Sequence, residues 1–229
     1  MQAELAGLPE LDCLRVDEVA APVRRARNVF AFEFPLGLLD ARDQLFAAWL
    51  GEAEATGMTD PNAMTLATAG DDGRPSARTV LLRGVGEDGF RFFTNRTSLK
   101  GRQLADNPRA QLLFYWRELG RQILIHGNVD QLSDEESDAY FESRARESRI
   151  GAWASEQGSV IESRKELIGR DEEAERKFEG EDVPRPPHWG GYIVSPQAIE
   201  FWQAGEFRLH DRFVFVNSAA GWTAERLSP

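Results

Sequence analysis

The chain is poor in the residues that form cross-links and metal centres. Its 229 residues include one cysteine, Cys13, and three histidines, His126, His188 and His210, which lie far apart in the sequence. A single cysteine excludes a disulfide within the chain, and scattered histidines without a nearby cysteine or carboxylate pair argue against a zinc or iron site. We therefore expect no bound metal. The low cysteine content fits a protein of the reducing cytoplasm.

Long apolar runs and an excess of positive charge are also missing. No apolar stretch approaches the roughly 18–20 residues that span a bilayer, so we expect no membrane segment. Lysine and arginine number 27 against 38 aspartates and glutamates, which gives a formal net charge of −11. Because an acidic surface repels nucleic acids and anionic membranes, only local basic pockets remain for anionic ligands. The 41% hydrophobic content suffices for one large core.

Hydrophobic periodicity predicts one helix followed by a strand-rich region. Apolar residues in segment 38–56 recur at helical spacing. Short β-rich runs follow, separated by polar turns with glycine that are typical of hairpins, and we expect the first of them to form a meander. These runs cover 64–69, 76–85, 90–95, 111–116 and 121–132. After a proline-rich connector at 183–191, three more strands are predicted at 190–202, 212–216 and 222–227.

Three further helices are predicted between and after these strands. The first covers 98–108 and is stopped by Asn107-Pro108. The second begins at Ser133, where Glu136 completes a capping box, and carries DAYFESR (138–144) along one helix. The third is the highly charged segment 162–178. Mainly antiparallel strands with peripheral helices predict an α+β fold containing a small barrel or sandwich.

Cationic side chains lie beside two of the predicted strands. Arg78 and Arg83 bracket the apolar TVLL, and Ser98 and Lys100 open the helix that follows the next strand. A helix start with a lysine, hydroxyls and free N–H groups suits a phosphate group. Each residue taken alone also fits a solvent-exposed strand charge or a helix cap.

A second concentration of polar residues lies near the carboxyl terminus. GEFRLHDRFVF (205–215) places Arg208, His210 and Asp211 directly before an apolar strand. Such a set could grip a small anionic substrate at a fixed angle. An exposed turn with an Arg/Asp ion pair is the alternative.

Longer motifs identify a resemblance that covers about residues 60–229. They are DPNAMTLAT, RTVLLR, FFTN, SLKG, LLFYW, YFESR, IGAWAS, VPRPPHWGGY, IEFWQ, RLHDR and ERLSP. In order and spacing they resemble the pyridoxamine (pyridoxine) 5'-phosphate oxidases. The resemblance implies an antiparallel, FMN-binding split β-barrel domain at 60–229, working as a homodimer with flavin at the subunit interface. Residues 1–59 would then form an N-terminal segment whose one amphipathic helix packs onto the barrel.

The resemblance further implies the reaction and the roles of individual residues. Pyridoxamine 5'-phosphate or pyridoxine 5'-phosphate would be oxidised to pyridoxal 5'-phosphate, with O2 as the electron acceptor and hydrogen peroxide as a product. The implied flavin contacts are Arg78, Thr79, Val80, Leu81, Leu82, Arg83, Phe93, Thr94, Ser98, Lys100, Gln122, Gln157, Gly158, Trp202 and Arg212, several of them supplied by the partner subunit. The implied substrate contacts are Arg83, Tyr140, Arg144, Ser148, Arg208 and His210.

Two of these substrate contacts carry the expected catalytic role. Arg208 and His210 would lie over the pyridine ring opposite the flavin, as positioning residues that could assist proton removal. Tyr140 and Arg144 are four residues apart on the predicted helix, so we expect them to project from one face towards the substrate phosphate.

The chain departs from the usual family pattern in several places. The departures are Arg83 (usually Lys), Phe93 (usually Tyr), Leu99 (usually Arg), Ala145 (usually Pro), Gly158 (usually a small hydroxyl residue) and the N-terminal segment, where RRARNVF (24–30) does not align with the usual Arg-x-x-Tyr lid. A phenazine-biosynthetic flavin oxidase acting on a tricyclic aromatic is therefore a second interpretation, and a non-enzymatic flavin-binding protein a third. Retention of Tyr140, Arg144 and Ser148 favours the vitamin B6 reaction.

Overall fold

The computed structural model describes residues 38–229, and its side chains are described from Arg42 onwards. The helices are α1 (Leu38–Ala55), α2 (Leu99–Asp106), α3 (Asp134–Glu142), α4 (Arg146–Ala154) and α5 (Arg164–Lys177). The strands are β1 (Ala63–Ala69), β2 (Pro75–Leu81), β3 (Gly84–Gly86), β4 (Gly89–Asn95), β5 (Arg109–Trp116), β6 (Arg121–Gln131), β7 (Trp189–Gln203), β8 (Asp211–Ser218) and β9 (Gly221–Leu227). The RRARNVF segment lies outside the described residues, and the division of the chain at residue 59 stays a prediction.

The nine strands of residues 38–229 form one antiparallel sheet, which confirms the predicted mainly β class. The path along the sheet is β2-β1-β5-β6-β7-β4-β3, and β8 pairs with both β7 and β9. The predicted meander is wrong. The hairpins β1–β2 and β3–β4 form locally, but they lie at opposite ends of the path because β1 pairs with β5 and β4 pairs with β7. Turn chemistry selects hairpins, whereas pairing between distant strands depends on the whole core.

The single strand predicted over 76–85 is also wrong, because the chain breaks between β2 and β3. The Leu82 N–H donates to the Asn62 carbonyl at 2.9 Å, and the Asn62 side-chain amide donates back to the Leu82 carbonyl at 3.1 Å. The next N–H, of Arg83, donates instead to the Arg91 carbonyl at 2.8 Å. The backbone N–H groups of Leu82 and Arg83 are thus bonded to two different hairpins. At this point, where the chain passes from one hairpin to the other, the Arg83 side chain is exposed.

The main core lies between α1 and one face of the sheet. The Phe46 ring packs edge-on against Phe90 and Phe114, at centroid distances of 5.0 and 5.5 Å, and Trp49 does the same against Phe201 at 5.3 Å. Alternate strand residues such as Leu112 face this core and are fully buried. The helical prediction for 38–56 is therefore confirmed. Within the described residues, no helix is long and apolar enough to cross a membrane.

Helix starts follow the predicted caps more closely than helix ends do. The side chain of Ser98 caps α2, and α3 has the complete capping box of Ser133 and Glu136. However, α3 ends at Glu142, so the prediction that DAYFESR runs along one helix is wrong. The Ser143 hydroxyl donates to the Tyr140 carbonyl at 2.7 Å, which satisfies an acceptor at the helix end.

Helix α4 begins two residues beyond Arg144 and was not predicted from the sequence. Two residues of α4, Ile150 and Ala154, are buried. Ile150 packs in a small apolar cluster with Ala174 of α5 and with Phe178. The charged helix predicted at 162–178 is confirmed as α5. The residues that flank α4, Arg144 before it and Gln157 and Gly158 after it, line the cavity described below.

Candidate active site

A cavity of about 650 Å³ is formed by β2, the end of β4, the start of α2 and the segments on either side of α4. Its lining residues are Ser76, Ala77, Arg78, Thr79, Val80, Leu81, Arg83, Phe93, Thr94, Ser98, Leu99, Lys100, Tyr140, Arg144, Gln157, Gly158 and Trp189. Cavities of this size hold cofactor-sized and drug-sized molecules. Eleven of the fifteen residues expected to contact flavin and three of the six expected to contact substrate are therefore brought together.

Arg78 lies on β2 with its guanidinium held by neutral groups. Its Nη1 donates to the Thr68 hydroxyl at 2.6 Å and the Leu66 carbonyl at 3.2 Å, and its Nη2 donates to the Ser76 hydroxyl. Burial lowers the pKa of Arg78, which nevertheless stays charged because guanidinium groups do not lose their proton in proteins. No carboxylate pairs with it among residues 38–229, so its charge is available to an anion in the cavity.

Lys100 approaches the same region from the first turn of α2. Its Nζ donates to the Ser98 hydroxyl at 3.1 Å and to Oε1 of Gln157 at 2.8 Å, and the side chain is only 8% exposed. Burial, and then the nearby positive charge of Arg78, lower the pKa of Lys100 to about 8. The first turn of α2 contains no acidic residue. Two cations and a helix amino terminus therefore converge, and no countercharge accompanies them in the part of the chain that the structure describes.

Arg83 and Arg144 form a second cationic pair on the cavity wall. Burial lowers the pKa of Arg144, Tyr140 raises it, and Arg83 contributes a further lowering through like-charge repulsion. The expectation that Tyr140 and Arg144 share one helix face is wrong, because Arg144 lies beyond the end of α3. The turn after the helix nevertheless brings both residues to the cavity.

An aromatic stack supports Arg144. The rings of Phe93 and Tyr140 are 3.9 Å apart between centroids, and Trp189 continues the stack at 5.5 Å from Phe93. The guanidinium carbon of Arg144 lies 4.8 Å from the Trp189 ring centroid, a cation–π distance. Its Nη1 is buried without a hydrogen-bond partner. Sequence reasoning missed Trp189, although an aromatic residue at the start of a long strand was a signal.

The other predicted site residues do not line this cavity. Leu82 is buried in the main core, and Ser148 is exposed on α4. Gln122, Trp202 and Arg212 are direct neighbours across β6, β7 and β8 on the sheet face opposite α1. Arg212 is fixed there by a two-point ion pair with Glu200, at 2.7 and 3.1 Å. The hydrogen bond to Glu200 is the largest cause of the raised pKa of Arg212.

Arg208 and His210 lie in a tight loop next to that sheet face. Phe207 and Arg208 adopt left-handed backbone angles, with φ of 55° and 66°, which are strained for residues other than glycine. Phe207 is 90% exposed. The Gly205 N–H donates to Nδ1 of His210 at 3.1 Å, so in the neutral imidazole the proton lies on Nε2.

Comparisons with known proteins agree with this architecture. Residues 50–177 match the family described as pyridoxamine 5'-phosphate oxidase, and residues 189–229 match the pyridoxine 5'-phosphate oxidase C-terminal dimerisation region. The pyridoxine/pyridoxamine 5'-phosphate oxidase of Burkholderia multivorans is 58% identical over 187 residues, covering 80% of this chain and 87% of that protein. The enzyme of the same name from Paraburkholderia phymatum is 56% identical over 203 residues, covering 86% and 95%.

Two solved structures are similar over most of the described chain. PhzG from Burkholderia lata, in complex with tetrahydrophenazine-1-carboxylic acid, is 32% identical with a TM-score of 0.78, covering 86% of this chain and 98% of that chain. A pyridoxamine 5'-phosphate oxidase-related, FMN-binding protein from Nostoc punctiforme has a TM-score of 0.65 at 18% identity, covering 81% and 96%, and supports the fold alone. The fold is thus that of the split-barrel flavin proteins. The chain belongs to the pyridoxamine 5'-phosphate oxidase family and is an oxidase.

Proposed function

We propose that this protein uses FMN to oxidise pyridoxine 5'-phosphate and pyridoxamine 5'-phosphate to pyridoxal 5'-phosphate, with O2 as the electron acceptor and hydrogen peroxide as a product. The observation that carries the proposal is the presence of four cations, Arg78, Lys100, Arg83 and Arg144, on one cavity without a carboxylate partner among the described residues. Lys100 is buried, and Arg78 and Arg144 are partly buried. Charges in such positions are costly when they have no partner, so the cavity favours anionic ligands.

The four cations form two pairs, which suits two phosphate groups. Arg78 and Lys100 are close enough for mutual repulsion and lie beside the start of α2, which fits the phosphate of FMN. Arg83 and Arg144 repel each other in the same way beside Tyr140, which fits the phosphate of the substrate. When bound, FMN would accept a hydride from the substrate carbon and pass the electrons to O2. The protein's own task is to hold that carbon at a short, fixed distance.

We infer that the active unit is a homodimer. The sheet face opposite α1 carries the partly exposed apolar residues Leu113, Leu124 and Val214, with Tyr115 58% exposed at its edge. Gln122, Trp202 and Arg212 lie on this face, and much of it belongs to the region that matches a dimerisation domain. A second copy packed here would bury the apolar residues and could bring these polar groups to the cavity of its partner.

His210 is better suited to donating a hydrogen bond than to accepting a proton at Nε2. Because the Gly205 N–H occupies Nδ1, the neutral ring presents Nε2–H outward. Contact with Trp202 at a centroid distance of 4.6 Å further limits rotation of the imidazole. In this proposal His210 and Arg208, which do not line the cavity of their own subunit, orient the substrate ring at the cavity of the partner subunit, and neither is required as a general base.

Oxidation of a phenazine precursor is the second candidate, favoured by the similarity to PhzG. A guanidinium at Arg83 could bind a carboxylate at two points, as a lysine could not. The B6 reaction is preferred because the relatives at 55–58% identity carry that name, whereas PhzG is 32% identical.

The test is to incubate the FMN-loaded protein in air with pyridoxine 5'-phosphate or with tetrahydrophenazine-1-carboxylic acid. Formation of aldehyde and peroxide from the first compound supports the proposal. The absence of turnover at millimolar pyridoxine 5'-phosphate and pyridoxamine 5'-phosphate would refute it, and turnover of the phenazine compound alone would establish the second candidate. Unphosphorylated pyridoxine is the matched substrate control, and it should react poorly because it lacks the group that Arg83 and Arg144 bind.

A further inference from the structure

A polar network centred on the buried side chain of Gln103 stands behind Arg78. Gln103 is on α2, is only 9% exposed and does not line the cavity. Its Oε1 lies 2.7 Å from the Thr68 hydroxyl of β1 and 2.7 Å from the Ser76 hydroxyl of β2. Both hydroxyls also contact the guanidinium of Arg78. One amide oxygen thus joins α2 to both strands of the hairpin that carries Arg78.

The donor and acceptor properties of the four groups fix which atom donates each hydrogen bond in this network. A guanidinium only donates hydrogen bonds, so the two hydroxyl oxygens accept from Arg78. Each hydroxyl then has a single proton to donate, and each directs it to Oε1 of Gln103, which can accept two hydrogen bonds. Gln103 thereby keeps both hydroxyls turned as acceptors towards Arg78. Because the amide is neutral, Arg78 is held in place while its positive charge stays uncompensated.

The network also relates the two cations to each other. Lys100 and Gln103 are three residues apart on α2, so the same helix carries one cation directly and orients the other through the hydroxyls. A carboxylate at position 103 would make the same two hydrogen bonds but would add a negative charge one hydroxyl away from Arg78. The neutral amide at position 103 therefore fits a role in which Arg78 keeps its full positive charge.

We propose that Gln103 is a positioning residue that aims Arg78 at the phosphate of FMN without neutralising it. This inference rests on the proposed function, because it takes FMN as the ligand of Arg78 and Lys100. It concerns the phosphate end of the ligand alone. Gln103 should therefore affect the binding of FMN and leave the binding of riboflavin, which has the same ring system and no phosphate, nearly unchanged.

The experiment measures dissociation constants of the flavin-free protein for FMN and for riboflavin, by flavin fluorescence, in Gln103→Glu and Gln103→Met. The first variant keeps the acceptor and adds a charge, and the second keeps the length and removes the acceptor. We expect the constant for FMN to rise about tenfold or more in both, because a charge-assisted contact is weakened, while the constant for riboflavin changes less than about twofold.

A matched pair at Thr68 controls for packing. Thr68→Ser retains the hydroxyl and should keep the affinity for FMN, whereas Thr68→Val has a similar shape without the hydroxyl and should weaken FMN binding selectively. Circular dichroism of each variant confirms that the sheet is intact.

Two outcomes would overturn the role of Gln103. One is an unchanged affinity for FMN in both Gln103 variants, and the other is an equal loss for FMN and riboflavin, which a purely structural role predicts. If the wild-type protein binds FMN no more tightly than riboflavin, the phosphate anchor itself is wrong. That result overturns the proposed function together with this inference, and it is distinguishable because it needs no variant.

Discussion

Replacing Lys100 by methionine should stabilise the flavin-free protein and weaken its binding of FMN. The Lys100 ammonium is nearly buried, and its two hydrogen bonds go to neutral oxygens of Ser98 and Gln157. Burial and the repulsion from Arg78 lower its pKa from 10.5 to about 8. The free protein therefore bears a cost for this charge, which an anionic ligand would offset.

The size of the effect follows from the change in pKa. Lowering the pKa from 10.5 to about 8 corresponds to about 3 kcal/mol of destabilisation of the charged form. The methionine variant loses two hydrogen bonds, which at about 0.5–1.5 kcal/mol each contribute about 1–3 kcal/mol together. We expect a net gain in the free energy of unfolding of up to about 2 kcal/mol at pH 7. The affinity for FMN should fall about tenfold or more through loss of a charge-assisted contact.

The stability advantage of Lys100→Met should also depend on pH, which a change in packing alone would not produce. In the folded state Lys100 releases its proton near pH 8, whereas in the unfolded state it does so near 10.5. The cost is full below pH 8, decreases between about pH 8 and 10.5 and vanishes above that range, since the unfolded state binds more protons there. The advantage of Lys100→Met should therefore shrink as the pH rises through this window.

The assay is urea denaturation of both flavin-free proteins at pH 7 and pH 10, followed by fluorescence titration with FMN at pH 7. Lys100→Arg is the control, because it retains a charge at both pH values and should show no such window. A variant that is less stable than the wild type at pH 7, or an advantage that grows with pH, would refute the assignment of a buried and destabilising charge.

Three further predictions concern the substrate pair, the core and the subunit contact. Arg144→Ala should raise the KM for pyridoxine 5'-phosphate far more than the dissociation constant of FMN, as steady-state kinetics and fluorescence titration would show; an unchanged KM would contradict the substrate role. Phe46→Ala should cost about 3–5 kcal/mol in urea denaturation, because it leaves a cavity among Phe90 and Phe114, and a cost below about 1 kcal/mol would argue against that packing. Leu124→Lys, opposite Glu200 on the exposed sheet face, should shift the protein from dimer to monomer in analytical ultracentrifugation; an unaltered dimer would place the contact elsewhere.

Local features of the fold were predictable because their causes lie within a few residues. Ser133 and Glu136 satisfy the first N–H groups of α3, and Asn107-Pro108 ends α2, so both signals can be read without knowing the rest of the chain. The same holds for the hairpins, whose turns contain the residues that turns require. The end of α3 was misjudged because no comparable local signal marks Ser143.

The candidate site likewise has features that the sequence predicts and features that only the structure shows. The charges, hydroxyls and aromatic residues of the cavity were recognisable from motifs such as RTVLLR and SLKG. However, sequence reasoning did not place Trp189 beneath Arg144, nor Gln103 behind Arg78, because these contacts join segments far apart in the chain. It also expected a common helix face to bring Tyr140 and Arg144 together, whereas a turn after the helix does so.

The sequence by itself determined the mainly β character, the starts of α2 and α3, the family and the types of side chain available for binding anions. Only the tertiary structure decided the order of strands, the break between Leu82 and Arg83, and the meeting of four cations at one cavity while Gln122, Trp202 and Arg212 lie on another face. The physical reason is the distance along the chain over which each feature is determined. Caps, turns and periodicity depend on neighbours within a few residues, whereas strand order and site assembly depend on which distant surfaces bury the most apolar area together.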